Sequence, residues 1–200
     1  MPSALVIVAH PDDETIWMGG TIIRNKGWDW TILSLCRCDD RDRAPRFAKA
    51  CKILGAKAIM SDLDDENPEK PLPTSEIKKR IRKLLARKEF DFIFTHGKNG
   101  EYGHNRHIEA ARAVNEMIAS RELKCSELRS FAYKKQRTPF MCVPSARAGV
   151  TTRLSRREAA MKRYLIKEVY NFDKGSFELL SSSDVEAFNV VGKLKLAGKK

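Results

Sequence analysis

The sequence predicts an α/β domain of the doubly wound kind, with a mostly parallel sheet and helices on both faces. Three observations carry that expectation. Short apolar runs alternate with amphipathic segments at the spacing of strand–helix units. The first run, ALVIVA (4–9), is apolar throughout, as a strand buried on both faces requires. The chain has 200 residues, of which 42% are hydrophobic, enough for one core of ordinary size.

Taken in order, ALVIVA (4–9) is the first strand. A helix follows from about Glu14, with Ile16, Trp17, Ile22 and Ile23 for its buried side and Gly27 as its expected stop. WTILSLC (30–36) is the second strand, RFAKACKILG (46–55) a helix closed by Gly55, and AKAIMS (56–61) a weaker third strand. The acidic, proline-broken DLDDENPEKPLP (62–73) is a loop, and the next helix starts near Thr74 or Ser75 with Glu76 in its first turn. FDFIFT (90–95) is the fourth strand, HGKNGEYG a loop, HNRHIEAARAVNEMIAS a helix, and ELRSFAY (127–133) the fifth strand.

The remainder is less regular. TPFMCVPSARAGV (138–150) reads as a loop, while Ser155 and Glu158 form a capping box for a helix through about Tyr170. One domain therefore spans 1–200, with 134–200 as a C-terminal appendage able to cover one side of a site.

Composition narrows the function. No apolar run approaches the roughly 20 residues of a membrane-spanning helix, and the N-terminus lacks a signal peptide's basic flank and cleavage site, so a cytoplasmic protein is expected. Five cysteines are odd in number, and their one close pair is C-x-C, too tight for a usual zinc knuckle, so they read as reduced core filler. The formal charge of +12 invites a polyanion partner. Yet the basic residues are dispersed without interleaved aromatics, and in KKRIRKLLARK (78–88) they occupy the outer face of an amphipathic helix, so nucleic-acid binding is not the expected main function.

The chemistry concentrates in two places. In VIVAHPDDE (6–14) a buried strand runs into His10, Pro11, Asp12, Asp13 and Glu14, at the carboxyl end where open α/β sheets bind ligands. A helix dipole accommodates one acid there, but neither three crowded acids nor a histidine beside them. A metal resolves both. The sequence contains four histidines, His10, His96, His104 and His107, and all fall at the carboxyl ends of the first and fourth strands or at the helix start that follows. In a sheet of order 3-2-1-4-5 those strands are neighbours at the point where the winding reverses, so the two clusters face each other. Imidazole with carboxylate and open coordination is the donor set of a catalytic zinc. His96 is either an outer partner or a strand-end residue.

These stretches also carry a resemblance. AHPDDE after an N-terminal strand, GGTI shortly after it, and THGKNGEYGHNRH after a later strand resemble the PIG-L/LmbE family of zinc-dependent N-deacetylases over about the first 120 residues. The resemblance implies a Rossmann-like fold and a hydrolase that removes an acetyl group from an N-acetylated amino sugar or glycoconjugate. It implies zinc, or another divalent metal, on His10, Asp13 and His107. Asp12 would be the general base, His104 would assist at the carbonyl oxygen, and Tyr102 is a further candidate there. Such a division suits amide hydrolysis, since zinc activates water, a neighbouring carboxylate can carry its proton, and a protonated His104 would stabilise the oxyanion.

Two positions depart from the family's pattern. Arg106 stands where an aspartate often orients the first histidine, and Arg46 replaces an acid three residues after Arg43, which is itself a candidate sugar contact. Positive charge at both places predicts a substrate more anionic than a plain amino sugar. Alternative functions are a metal hydrolase acting on another acyl or phosphate substrate, or an anionic-polymer or nucleic-acid binding protein with a vestigial site. The exact substrate and the oligomeric state stay open.

Overall fold

In the computed structural model, which describes residues 1–193, the chain builds a seven-stranded sheet of order β3-β2-β1-β4-β5-β9-β8 and a separate two-stranded hairpin, β6-β7. The five strands of the doubly wound part are β1 (Ser3–Val8), β2 (Asp29–Cys36), β3 (Ala56–Leu63), β4 (Glu89–Thr95) and β5 (Lys124–Phe131). They pair in parallel throughout. The expected order and class are those observed.

Burial on both faces explains why β1 is apolar at every position. Ala4, Val6 and Val8 point into one cluster with Trp17, Ile22, Phe47 and Leu54 from α1 (Asp13–Arg24) and α2 (Arg43–Leu54). Leu5 and Ile7 point into the other with Ile77, Ile81, Val114 and Met117 from α3 (Thr74–Leu84) and α5 (Asn105–Ala119). Side chains alternate along a strand, so helices on both sides leave no position for a polar residue.

Local signals mostly hold. Gly55 ends α2 in the left-handed conformation (φ 73°), as its missing Cβ allows. Ser155 and Glu158 form the reciprocal capping box of α6 (Arg156–Tyr164), which runs on into a π-helical turn at Leu165–Val169. Gly27, however, is not the stop of α1. The helix ends at Arg24, where the Asn25 amide donates to the Thr21 and Ile22 carbonyls and its side chain also donates to Thr21, so capping occurs two residues early.

The C-terminal third is more ordered than its sequence suggests. Within the expected loop 138–150, β7 (Met141–Pro144) pairs antiparallel with β6 (Tyr133–Gln136), and β8 (Val150–Arg153) begins at the loop's end. β9 (Val185–Lys193) joins the main sheet antiparallel to β5 and β8 pairs antiparallel with β9, so this region continues the sheet instead of hanging from it. Prolines 139 and 144 and strands of four residues hide that pairing from any periodicity. Glu186 on β9 fastens the extension: it accepts from the Gly20 and Thr21 amides, the Thr21 hydroxyl and Lys162 Nζ, all buried. At Gly20 of GGTI a Cβ would collide with Leu154, so glycine there permits the close approach of α1 and the segment before α6. The basic end of the chain, 194–200, lies outside the described residues.

Candidate metal centre and active site

Strands β1 and β4 lie side by side, with α1 and α2 on one face of the sheet and α3 and α5 on the other. The winding therefore reverses between them, and their carboxyl ends open a crevice. β1 delivers His10, Asp12 and Asp13, and β4 delivers His96. A short turn, α4 (Gly100–Gly103), and the start of α5 deliver Tyr102, His104 and His107.

Three donor atoms converge. His10 Nδ1 is 3.2 Å from His107 Nε2, and Asp13 Oδ2 is 3.4 Å from each of them. Bonds of about 2.0–2.1 Å to a tetrahedral metal put neighbouring donors about 3.3 Å apart. Their outer nitrogens explain why such an arrangement needs a cation. His107 Nδ1 lies 2.7 Å from Glu101 Oε2, and His10 Nε2 lies 3.1 Å from Asp65 Oδ1. A proton donated outward to each carboxylate leaves a lone pair facing inward on each ring, beside the Asp13 carboxylate. Without a metal a proton supplies the missing charge: burial opposes it, but Asp13 and Asp65 still push His10 up to about 9. The donor set fits a divalent metal.

Other donors lie nearby, namely His104 beside His10 and His107, His96 beside Asp13 and His107, and Cys36 beside His10 and Asp65. His96 is already engaged, since the Ala9 amide donates to its Nε2 at 2.9 Å and its Nδ1 is 2.8 Å from Glu101 Oε2. Burial lowers its pKa while Glu101 and Asp13 push it up to about 9. The Ala9 contact nevertheless requires a lone pair on Nε2, and so fixes the neutral ring with its proton on Nδ1. Burial pushes the Cys36 thiol far up, which works against its thiolate.

Asp12 sits at the N-terminus of α1 with φ 118°, a left-handed value that a non-glycine residue rarely adopts. Its amide donates to Glu14 Oε2, while Glu14 Oε1 accepts from the Thr15 and Tyr170 hydroxyls at 2.5 and 2.7 Å. Glu14 therefore clamps the strained residue, and burial raises its own pKa to about 6. Burial and then the Asp13 charge push Asp12 well above the ordinary carboxylate range. Arg43 Nη1 approaches Asp12 Oδ2 at 3.4 Å, with its guanidinium over the Phe172 ring.

A cavity of about 160 Å³ opens beside these groups, lined by His10, Asp12 and Arg43 together with Tyr102, His104 and Phe177. Burial holds Tyr102 in its protonated form. His104 differs from the expectation of a protonated ring. Burial, then His107 and His10, hold it down to about 4, and its buried Nδ1 has no hydrogen-bond partner among the described residues.

The two departing arginines also point elsewhere. Arg106 is fully buried and donates to the carbonyls of Asp64, Asn67 and Lys70 and to the Glu109 carboxylate, stapling the acidic loop to α5. Arg46 donates to Asp42 and to the Val169 carbonyl. Neither faces the cavity, so neither supports an anionic substrate. Arg37 and Arg43 do line it, but they are paired with Asp65 and Asp12.

The crevice thus holds His10, Asp12, Asp13, Arg43, Tyr102, His104 and His107 together, the residues expected to bind metal, substrate or protons, while Arg46 and Arg106 lie outside it. Glu101, Asp65 and Tyr170 were not singled out. Glu101 carried a signal, being the one charged residue in the NGEYG stretch between the histidine groups. Tyr170 carried none, because only the folded chain brings it to Glu14.

Comparison with known proteins places these motifs. A family model described as GlcNAc-PI de-N-acetylase, PIG-L, matches residues 5–118, more than half of the chain. A protein of Acanthamoeba polyphaga mimivirus, L374, is 27% identical over 117 residues, covering 52% of each chain. The 1D-myo-inositol 2-acetamido-2-deoxy-alpha-D-glucopyranoside deacetylase of Corynebacterium diphtheriae is 22% identical over 143 residues, covering 54% of this chain and 49% of its own. This chain spans about half the length of these curated relatives. Among solved structures, the N,N'-diacetylchitobiose deacetylase of Pyrococcus horikoshii superposes with a TM-score of 0.70 at 17% identity, covering 95% of this chain and 84% of that one. At that identity the likeness establishes the fold.

Proposed function

Because the chain belongs to the PIG-L family of GlcNAc-PI de-N-acetylases, we propose that it is a metal-dependent hydrolase that removes the acetyl group from an N-acetylated amino sugar or glycoconjugate. The observation that carries the reading is the convergence of His10 Nδ1, Asp13 Oδ2 and His107 Nε2 within 3.2–3.4 Å, beside a cavity. These three residues hold the metal, with zinc as the expected ion. Bound there, it supplies Lewis acidity, polarising the amide carbonyl and acidifying the attacking water.

The chain's own residues supply the rest. Asp12, raised by burial and clamped by Glu14, takes the proton of the attacking water and returns it to the leaving amine. His104 acts as a neutral ring whose unpartnered Nδ1 can carry a proton toward the developing oxyanion, and the Tyr102 hydroxyl is a second donor lining the same cavity. Arg43 holds the outer oxygen of Asp12 and contacts the sugar at the rim. Phe177, outside the family match, gives the ring an apolar face. We place the reaction in the cytoplasm. All five cysteines are free, and no helix among the described residues is long and apolar enough to cross a membrane.

The test is to load the purified protein with zinc and offer a panel of N-acetyl amino sugars, plain and glycoside-linked, measuring acetate and free amine together. Equimolar release from at least one sugar, abolished by a chelator and restored by metal, is the expected result. Phosphate release, or cleavage of acyl esters alone, would replace this reading by a different hydrolysis.

A further inference from the structure

We infer that Glu101 is the positioning residue of the metal centre, one buried carboxylate that sets the proton on His107 and, through His96, holds the strand end that presents His10. The inference rests on reading the three-donor cluster as a metal site and extends it to residues that touch no metal.

The geometry is specific. Glu101 is 1% exposed. Its Oε2 lies 2.7 Å from His107 Nδ1 and 2.8 Å from His96 Nδ1, and its Oε1 accepts from the Gly97 amide at 2.7 Å. His96, stacked on His107 with ring centroids 3.9 Å apart, accepts from the Ala9 amide at 2.9 Å. A continuous set of contacts therefore runs from a donor atom on α5 through Glu101 and His96 to the backbone of the residue before His10. Both imidazoles of the centre are referred to the same carboxylate, one directly and the other through β1.

Two features show that the fold is arranged around this side chain. Glu101 has φ 57° inside the short turn α4, a value that L residues rarely adopt and that persists only where surrounding bonds fix it. A Cβ at Gly97 would fall 2.5 Å from the Phe131 carbonyl oxygen, 2.7 Å from the Asn99 side-chain oxygen and 3.3 Å from Glu101 Oε1, so glycine there lets this turn pack against β5 and also leaves room for the carboxylate. Burying a carboxylate is costly unless its oxygens are satisfied, and three donors satisfy it. A metal-bound imidazole that donates its other nitrogen to a carboxylate is fixed in tautomer and ring orientation. Asp65 offers the same contact to His10, but shares its carboxylate with Arg37 and sits nearer solvent.

The experiment measures zinc affinity by chelator competition in wild type, Glu101→Gln and Glu101→Ala, with thermal unfolding of the metal-free proteins and ¹⁵N–¹H correlation of the histidine rings. Wild-type uptake of zinc comes first, and its failure overturns the metal reading and this inference together. Given wild-type binding, Glu101→Ala should bind zinc roughly 10–100-fold more weakly, the usual loss when an outer-shell partner is removed. Glu101→Gln keeps the shape, but its amide cannot accept from both rings and Gly97 at once. It should fold, bind more weakly than wild type, and lose the wild-type population of His107 protonated at Nδ1. Unchanged zinc affinity and an unchanged His107 tautomer in Glu101→Gln would overturn the inference while leaving the metal site and the deacetylase reading intact. Should Glu101→Ala not fold, Glu101→Gln alone decides.

Discussion

The inner half of the crevice and its rim use the same residue types in opposite ways. On the inside, Asp13, His96, Glu101 and His107 are 3% exposed or less, and each polar atom facing the protein is matched by a ring nitrogen, a carboxylate, an indole or a backbone amide. At the rim, Asp12 and Arg43 have side chains 14–26% exposed, and Asp12 meets its arginine only at a loose 3.4 Å. Rigid, water-free contacts suit groups that must hold a fixed geometry, because an unmatched partner there is costly to leave. Looser, wetter contacts suit groups that exchange protons and meet substrate. The same carboxylate chemistry is thus a tether on one side of the site and a proton carrier on the other.

The largest test of this contrast is at an inner ligand. His107→Ala should leave zinc substoichiometric by metal analysis and activity undetectable, with the fold retained by circular dichroism. Stoichiometric zinc in that variant would break the division between the halves. Next comes the rim base: Asp12→Asn should keep its metal while turnover falls by about 10² to 10⁴, the range for a lost general base, with little change in KM. Full turnover would remove Asp12 from proton transfer.

Arg106 sharpens the comparison, since its sequence context suggested the rim and the fold buries it. Arg106→Ala leaves Glu109 and three carbonyls without their donor, and denaturant unfolding should report a loss of about 3–5 kcal/mol. A loss below about 1 kcal/mol would return it to the surface class. At the rim, Arg43→Ala should raise KM on the order of tenfold with metal unchanged, as for a lost charged hydrogen bond. Its positive charge lowers the pKa of Asp12. Removing it should therefore move the acidic limb of kcat/KM to higher pH, and a shift to lower pH would contradict the pairing.

The smallest effect lies away from the crevice and calibrates the rest. Arg24 holds Glu158 down to about 2, from an ordinary value near 4.5, through an ion pair at the surface. A depressed carboxyl contributes stability above its unfolded pKa and loses it as pH falls toward its folded one. Glu158→Gln should therefore cost roughly 0.2–1 kcal/mol at pH 7, and the gap to wild type should narrow as unfolding is followed from pH 5 to pH 2. A gap that widens on acidification would reverse the sign.

Residue pattern alone determined the order of the first five strands, the crevice and the grouping of histidines with acids. An apolar run such as ALVIVA, with no position for a polar side chain, requires cover on both faces. That topology in turn places the carboxyl ends of β1 and β4 together whatever the loops do. Periodicity also located the capping box at Ser155 and the stop at Gly55, because these are local hydrogen-bonding and steric facts. Tertiary structure alone decided what each charged residue faces. Glu101 is a lone acid in a glycine-rich turn and Glu14 the last of three consecutive acids until folding buries them against His107 and Tyr170, residues 6 and 156 positions away. Arg106 reads as added positive charge near the crevice until the loop at 64–70 closes over it. Sequence fixes which residues carry charge. Their partners are chosen by long-range packing, where burial raises the cost of every unmatched charge and so selects the one arrangement in which each is met.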